Sequence, residues 1–145
     1  MVPQVTLESA VPGIQRVCQR NAISLAYLFG SVARGTADEE SDIDIGVMLP
    51  HRQFKTNTHD LHLSLIGAFA DELGIDSSRV DVILLGEAPL LLQYAVVRTG
   101  RCIVGTDSKV RKSFEEAVRR RYRQNHAEIR RDTSRTLERL ITLAV

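Results

Sequence analysis

Residues 28–47 constrain this chain more than any other stretch. They read Leu-Phe-Gly-Ser-Val-Ala-Arg-Gly-Thr-Ala-Asp-Glu-Glu-Ser-Asp-Ile-Asp-Ile-Gly-Val. One apolar run ends in Gly30-Ser31, and ten residues later Asp42 and Asp44 open a second apolar run. Glycine permits a sharp turn and a close approach to the backbone. A serine at the start of a short helix adds a hydroxyl to free N–H groups that favour an anion. In a strand, residues two apart share a face, so the pattern puts Asp42 and Asp44 on one side and Ile43 and Ile45 on the other.

Two carboxylates on one strand face repel. At ~5 Å and an effective dielectric near ~20 the cost is about 3 kcal/mol. Such a pair persists if it shares a proton, sits in water or binds cations. Oxygen ligands suit Mg²⁺, which takes one or two carboxylates and completes its shell with phosphates and water. Asp81 is a third carboxylate, set in the otherwise apolar run Val-Asp-Val-Ile-Leu-Leu. A charge there is costly without a partner. If its strand lies beside that of Asp42 and Asp44, two metal ions become plausible, one activating a hydroxyl and one stabilising a leaving pyrophosphate. Arg34, one turn after Ser31, is placed to reach the same phosphates or to brace a carboxylate. A salt bridge of Asp81 with Arg79 or Arg101 is the competing structural reading.

Composition narrows the class. The 145 residues are 43% hydrophobic and 26% charged, ordinary for one globular domain. At that size no disulfide or metal staple is needed for folding. The two cysteines, Cys18 and Cys102, are far apart and in no metal-type spacing, so they are expected to be reduced packing residues. No signal-peptide pattern opens the chain and no apolar run has membrane-spanning length, so a cytoplasmic location is expected. Net charge is +1, but residues 111–139 carry ten basic and five acidic side chains. That is either a solvated helix face or a docking surface. His59 and His62 are three apart near a helix start. Two imidazoles fall short of a zinc shell, and a polar helix boundary explains them better.

Periodicity predicts helices over 7–20, with Pro12 in the first turn or at a kink, over 56–73 with Gly74 as C-cap, and over 89–97. Strands are expected over 24–29, 42–49 and 79–85, with an edge strand over 101–104. From Ser108 helical spacing runs through Val110, Phe114, Val118 and Tyr122, and resumes through Ile129, Thr133, Leu137 and Ile141. One long helix or two broken near Asn125 fit equally. The expected fold is α/β (α+β): a small mixed sheet flanked by helices over 1–106, then a helical C-terminal extension over 107–145.

Gly30-Ser31, Arg34-Gly35, Asp42-Ile43-Asp44 and Asp81 together resemble the minimal nucleotidyltransferases of the DNA polymerase beta superfamily. The resemblance spans about residues 20–105 and implies Mg²⁺-dependent transfer of a nucleoside monophosphate from a triphosphate such as ATP to a hydroxyl. It implies that Asp42 and Asp44 ligate both metals, that Asp81 ligates one and helps deprotonate the acceptor, and that Gly30 and Ser31 hold the triphosphate. More loosely, the chain resembles the MNT-type antitoxins paired with HEPN ribonuclease toxins, which implies adenylylation of a toxin tyrosine.

Size bears on the acceptor. Small-molecule nucleotidyltransferases of the aminoglycoside-modifying kind generally add a second domain that encloses their acceptor, whereas only about forty residues follow this core. An open cleft suits a hydroxyl carried by another protein, here a HEPN-type toxin. Direct nucleic-acid binding is not expected. Two alternatives stay open: a small-molecule O-nucleotidyltransferase, and a non-catalytic antitoxin that masks its toxin.

Overall fold

The computed structural model describes residues 5–38, 40–50 and 58–125. The elements run α1 (Leu7–Arg20), β1 (Leu25–Phe29), α2 (Gly30–Arg34), β2 (Ile43–Met48), α3 (Thr58–Leu73), a 3-10 turn (Ser77–Arg79), β3 (Val80–Leu84), α4 (Leu90–Thr99), β4 (Arg101–Val104) and α5 (Lys109–Gln124). The four strands form one sheet in the order β3-β2-β1-β4. β1 pairs antiparallel with β2 and β4, whereas β2 and β3 are parallel, so the sheet is mixed as expected. A parallel pair needs a crossover, and α3 supplies it.

β1 is buried along its whole length, which fits an uninterrupted apolar run inside a sheet covered on both faces. Its alternate residues feed two cores. Ala26 and Leu28 join Ile43, Ile45, Val47, Val80 and Val82 against Ile14 and Val17 of α1 and Leu65 and Phe69 of α3. Leu25, Tyr27 and Phe29 pack on the opposite face with Leu85, Val96, Val97, Phe114 and Val118. Each fully buried Leu, Ile or Phe contributes roughly 1.5–3 kcal/mol, so the period-2 alternation fixes which face each strand residue must take.

Local signals set the element ends. α1 starts at a reciprocal cap, in which Thr6 Oγ1 accepts from the Ser9 N–H at 3.1 Å and Ser9 Oγ accepts from the Thr6 N–H at 2.9 Å. Pro12 lies at the sixth residue of this helix, past the first turn, and removes the N–H that would bond four residues back. In α3, Leu65 and Phe69 are buried and Leu61 and Leu73 pack partly against them. Gly74 ends the helix at φ +67°. Residues 51–57 lie outside the described residues, including the expected first turn of α3.

α5 begins at Ser108, whose side chain accepts from the Arg111 N–H, and ends at Gln124 with Asn125 as its cap. Its Phe114 and Val118 sit in the second core, and the Tyr27 hydroxyl donates to Glu115 Oε1 at 3.2 Å. The spacing of Ile129, Thr133, Leu137 and Ile141 falls outside the described residues. Among the described residues, no helix is long and apolar enough to cross a membrane.

Candidate active site

The turn after β1 is built on a backbone that only glycine adopts cheaply. Phe29 is extended, Gly30 takes φ +74°, and α2 begins at once. No side chain caps that helix start. α2 closes on Gly35, left-handed at φ +73°, with the Thr36 N–H bonded to the Ser31 carbonyl at 2.9 Å. Ser31 is 2% exposed, and its hydroxyl oxygen is buried without a hydrogen-bond partner. A buried hydroxyl left unpaired costs about 1–3 kcal/mol. A phosphate oxygen would satisfy it, so the turn fits the group that the sequence implies.

Strand pairing carries the turn to the carboxylates. Phe29 is the partner of Asp44 in the β1–β2 ladder, and Asp44 is the partner of Asp81 in the β2–β3 ladder. Gly30 follows Phe29 directly, so turn and acid pair share one end of the sheet. Ile43 and Ile45 face the first core. Asp44 thus takes the face opposite Ile43 and Ile45 as the period-2 pattern predicts, whereas Asp42, expected on the strand, lies on the loop before it.

The three aspartates differ in environment. Asp44 is 5% exposed, and burial, then the charges of Asp81 and Asp42, push its carboxyl up to about 7, with Arg34 opposing. Asp81 is exposed at the sheet edge, yet partial desolvation and the Asp42 charge raise its carboxyl too, with His62 opposing. Asp42 is exposed on the loop just before β2. None of the three forms an ion pair among the described residues. The competing reading of Asp81 as a salt-bridge partner fails for Arg79, whose Nη2 donates instead to the Ser41 carbonyl at 3.0 Å.

A cluster of mutually repelling carboxylates without an ion-pair partner among the described residues is the donor set that a hard divalent ion takes. Among the described residues, no group of three or more His, Cys, Asp or Glu side chains is placed to hold a metal ion together. The expected convergence is thus a register pair, Asp44 and Asp81, with Asp42 in electrostatic reach of both. Mg²⁺ needs no cage, since phosphates and water complete its shell. Arg34 is exposed in the last turn of α2, and its charge reaches Asp44.

Two supporting residues were not legible as such. Arg79 ties the segment before Asp81 to the loop before Asp42, and its Nε is buried without a partner. The loop is closed further by Asp38, which accepts from the Glu40 N–H at 2.9 Å and from the Ser41 hydroxyl at 3.1 Å. These bonds hold the Asp38 carboxyl below the usual range. His62 Nε2 donates to the Val82 carbonyl at 2.5 Å, fixing α3 to the edge of β3 rather than joining His59 on a metal. The sequence signal for Arg79 was its place two residues before Asp81; for His62 there was none beyond helix position.

The family described as Polymerase beta, Nucleotidyltransferase matches residues 13–109. A solved toxin–antitoxin structure with AMP-PNP is 28% identical, covering 83% of this chain and 92% of that one at a TM-score of 0.70. The toxin–antitoxin MntA–HepT matches at 26% identity, over 85% and 92%, with a TM-score of 0.65. So does the complex of a tri-AMPylated Shewanella oneidensis HEPN toxin with its MNT antitoxin, at 25% identity over 85% and 92%, TM-score 0.65. No curated relative matches significantly.

Proposed function

The chain belongs to the Polymerase beta, Nucleotidyltransferase family, and on that premise we propose that it is an MNT-type antitoxin. In this reading it transfers AMP from ATP to a tyrosine hydroxyl of a partner HEPN toxin and so inactivates it. The observation that carries the reading is the row Phe29–Asp44–Asp81, which sets the Gly30-Ser31 turn and the acid pair at one end of the sheet. Its support among similar structures is an antitoxin bound to an AMPylated HEPN toxin.

The geometry supports these roles. Gly30 and Ser31 hold the triphosphate through backbone N–H groups and the unpaired Ser31 hydroxyl. Asp42 and Asp44 would hold both Mg²⁺ ions, and Asp81 would help hold one of them. Bound Mg²⁺ supplies charge neutralisation on the phosphates and lowers the acidity barrier of the acceptor hydroxyl. Asp81, exposed at the sheet edge, takes the hydroxyl proton. The acceptor oxygen bonds to the α-phosphorus, the bond to the bridging oxygen breaks, and pyrophosphate leaves. Arg34 offsets negative charge beside Asp44.

Intact-mass spectrometry tests this. With ATP, Mg²⁺ and its cognate partner, the wild type adds AMP units to the partner, and Asp42→Ala/Asp44→Ala adds none. No mass gain with wild type overturns the reading. Neutralisation of the toxin by the double variant would make masking the better account, and a gain on a small-molecule acceptor would make it an O-nucleotidyltransferase.

A further inference from the structure

One cavity has none of the aspartates among its described lining residues. It has a volume of about 660 Å³ between α4 and α5, and is lined by Tyr94, Val97, Arg98, Arg119, Tyr122 and Arg123. The two tyrosines stack face to face, with centroids 3.6 Å apart and planes 1° from parallel. Arg98, Arg119 and Arg123 are all exposed. Among the described residues no acidic side chain lines the cavity, and α4 contains no Asp or Glu. Among the described residues, the ion pair these cations make is Arg119 with Glu115, at a loose 3.9 Å. Three guanidinium groups around one hollow repel each other until an anion enters.

Chemistry selects the anion. Guanidinium forks match phosphate oxygens in bidentate geometry. Aromatic faces beside arginines stack nucleobases with little regard to sequence. The volume falls in the roughly 300–1,000 Å³ range of small-ligand sites, and buried Val97 gives an apolar wall. We propose that the α4–α5 cleft binds a nucleoside phosphate, with its base against the Tyr94–Tyr122 pair and its phosphate on Arg98, Arg119 and Arg123. Its described lining shares no residue with the turn or the aspartates, and binding there does not depend on the reaction assigned to them. A free nucleotide and the phosphorylated end of an RNA share that chemistry.

The chain has no tryptophan and three tyrosines, and two of those three line the cleft, so tyrosine fluorescence reports on it directly. The full-length protein is titrated with AMP in EDTA, which silences metal-dependent binding at the aspartates, and calorimetry checks the stoichiometry. Saturable binding is expected, weakened at least about tenfold in Arg98→Ala/Arg123→Ala and unchanged in Ser31→Ala/Asp44→Asn. Unaltered affinity in the arginine variant overturns the proposal, as does its absence in wild type. Equal binding of inorganic phosphate overturns it too, by reducing the site to an anion patch. A 5′-phosphorylated oligoadenylate separates the sources: tenfold tighter binding than AMP assigns an RNA end, and equal binding a free nucleotide, either result sustaining the site. Binding of an acidic peptide without AMP binding assigns the cleft to a protein and overturns it.

Discussion

Asp44 on β2 stands directly opposite Asp81 on β3, in register across the parallel pair. The same Asp44 faces Phe29 on its other side, so the residue before Gly30 completes the row. Register alone thus joins a carboxylate pair to a phosphate-type turn, although Ser31 and Asp81 are far apart in sequence. Asp44 is buried in this row and Asp81 is exposed, a division that suits the proposed roles of ion ligand and proton acceptor.

Asp44 should destabilise the metal-free protein at neutral pH. Its carboxyl is pushed up to about 7, whereas an unfolded aspartate titrates near ~3.9. Between those values the folded chain keeps a proton that the unfolded chain has released, so stability falls as pH rises from about 4 to about 7 and then levels off. Asp44→Asn is expected to exceed wild type by on the order of 1–4 kcal/mol at pH 8 in chelator, and to match it near pH 4. Urea denaturation at the two pH values checks this.

Ser31→Ala should separate stability from binding. The Ser31 hydroxyl is buried and unpaired, so its removal is expected to leave stability unchanged or raise it by up to about 1 kcal/mol. ATP affinity with Mg²⁺ is expected to drop about tenfold. Thermal melts and calorimetry on one preparation give both numbers.

Arg79 should act on metal use through the loop. Losing its bond to the Ser41 carbonyl is expected to cost about 1–2 kcal/mol in Arg79→Ala. The Mg²⁺ concentration for half-maximal transfer is expected to rise severalfold, because Asp42 follows Ser41 directly. Arg79→Lys, which keeps a donor, should recover part of the shift. A Mg²⁺ titration of initial rates beside a thermal melt distinguishes this from simple loss of fold.

Tyr27→Phe tests how α5 is attached. The Tyr27 hydroxyl bonds Glu115 in a buried setting, and burial with the nearby Glu115 charge holds its pKa above the usual phenol range. Hydrogen bonds to a charged partner contribute about 1.5–3 kcal/mol. Glu115 keeps Arg111 at 3.3 Å as a second partner, so a loss of about 1–2 kcal/mol is expected. The urea midpoint reads it.

The sequence by itself determined what local chemistry can determine. Alternation in Ile43–Met48 fixed which side Asp44 takes, because a one-residue slip would move the isoleucines off the core face. Gly30-Ser31 announced a turn with a close approach to the backbone, and the i+4 spacing of Leu61, Leu65 and Phe69 announced α3. Pro12 falls at the sixth residue of α1 and not in its first turn, because helix burial against the sheet tolerates one missing bond. Tertiary structure alone decided the rest: Asp81 beside Asp44, Arg79 on the Ser41 carbonyl instead of a carboxylate, His62 on Val82, and Tyr94 stacked on Tyr122. Each of these joins segments distant along the chain. Strand order and helix docking set them through the summed burial of two cores, a quantity that no local window of residues contains.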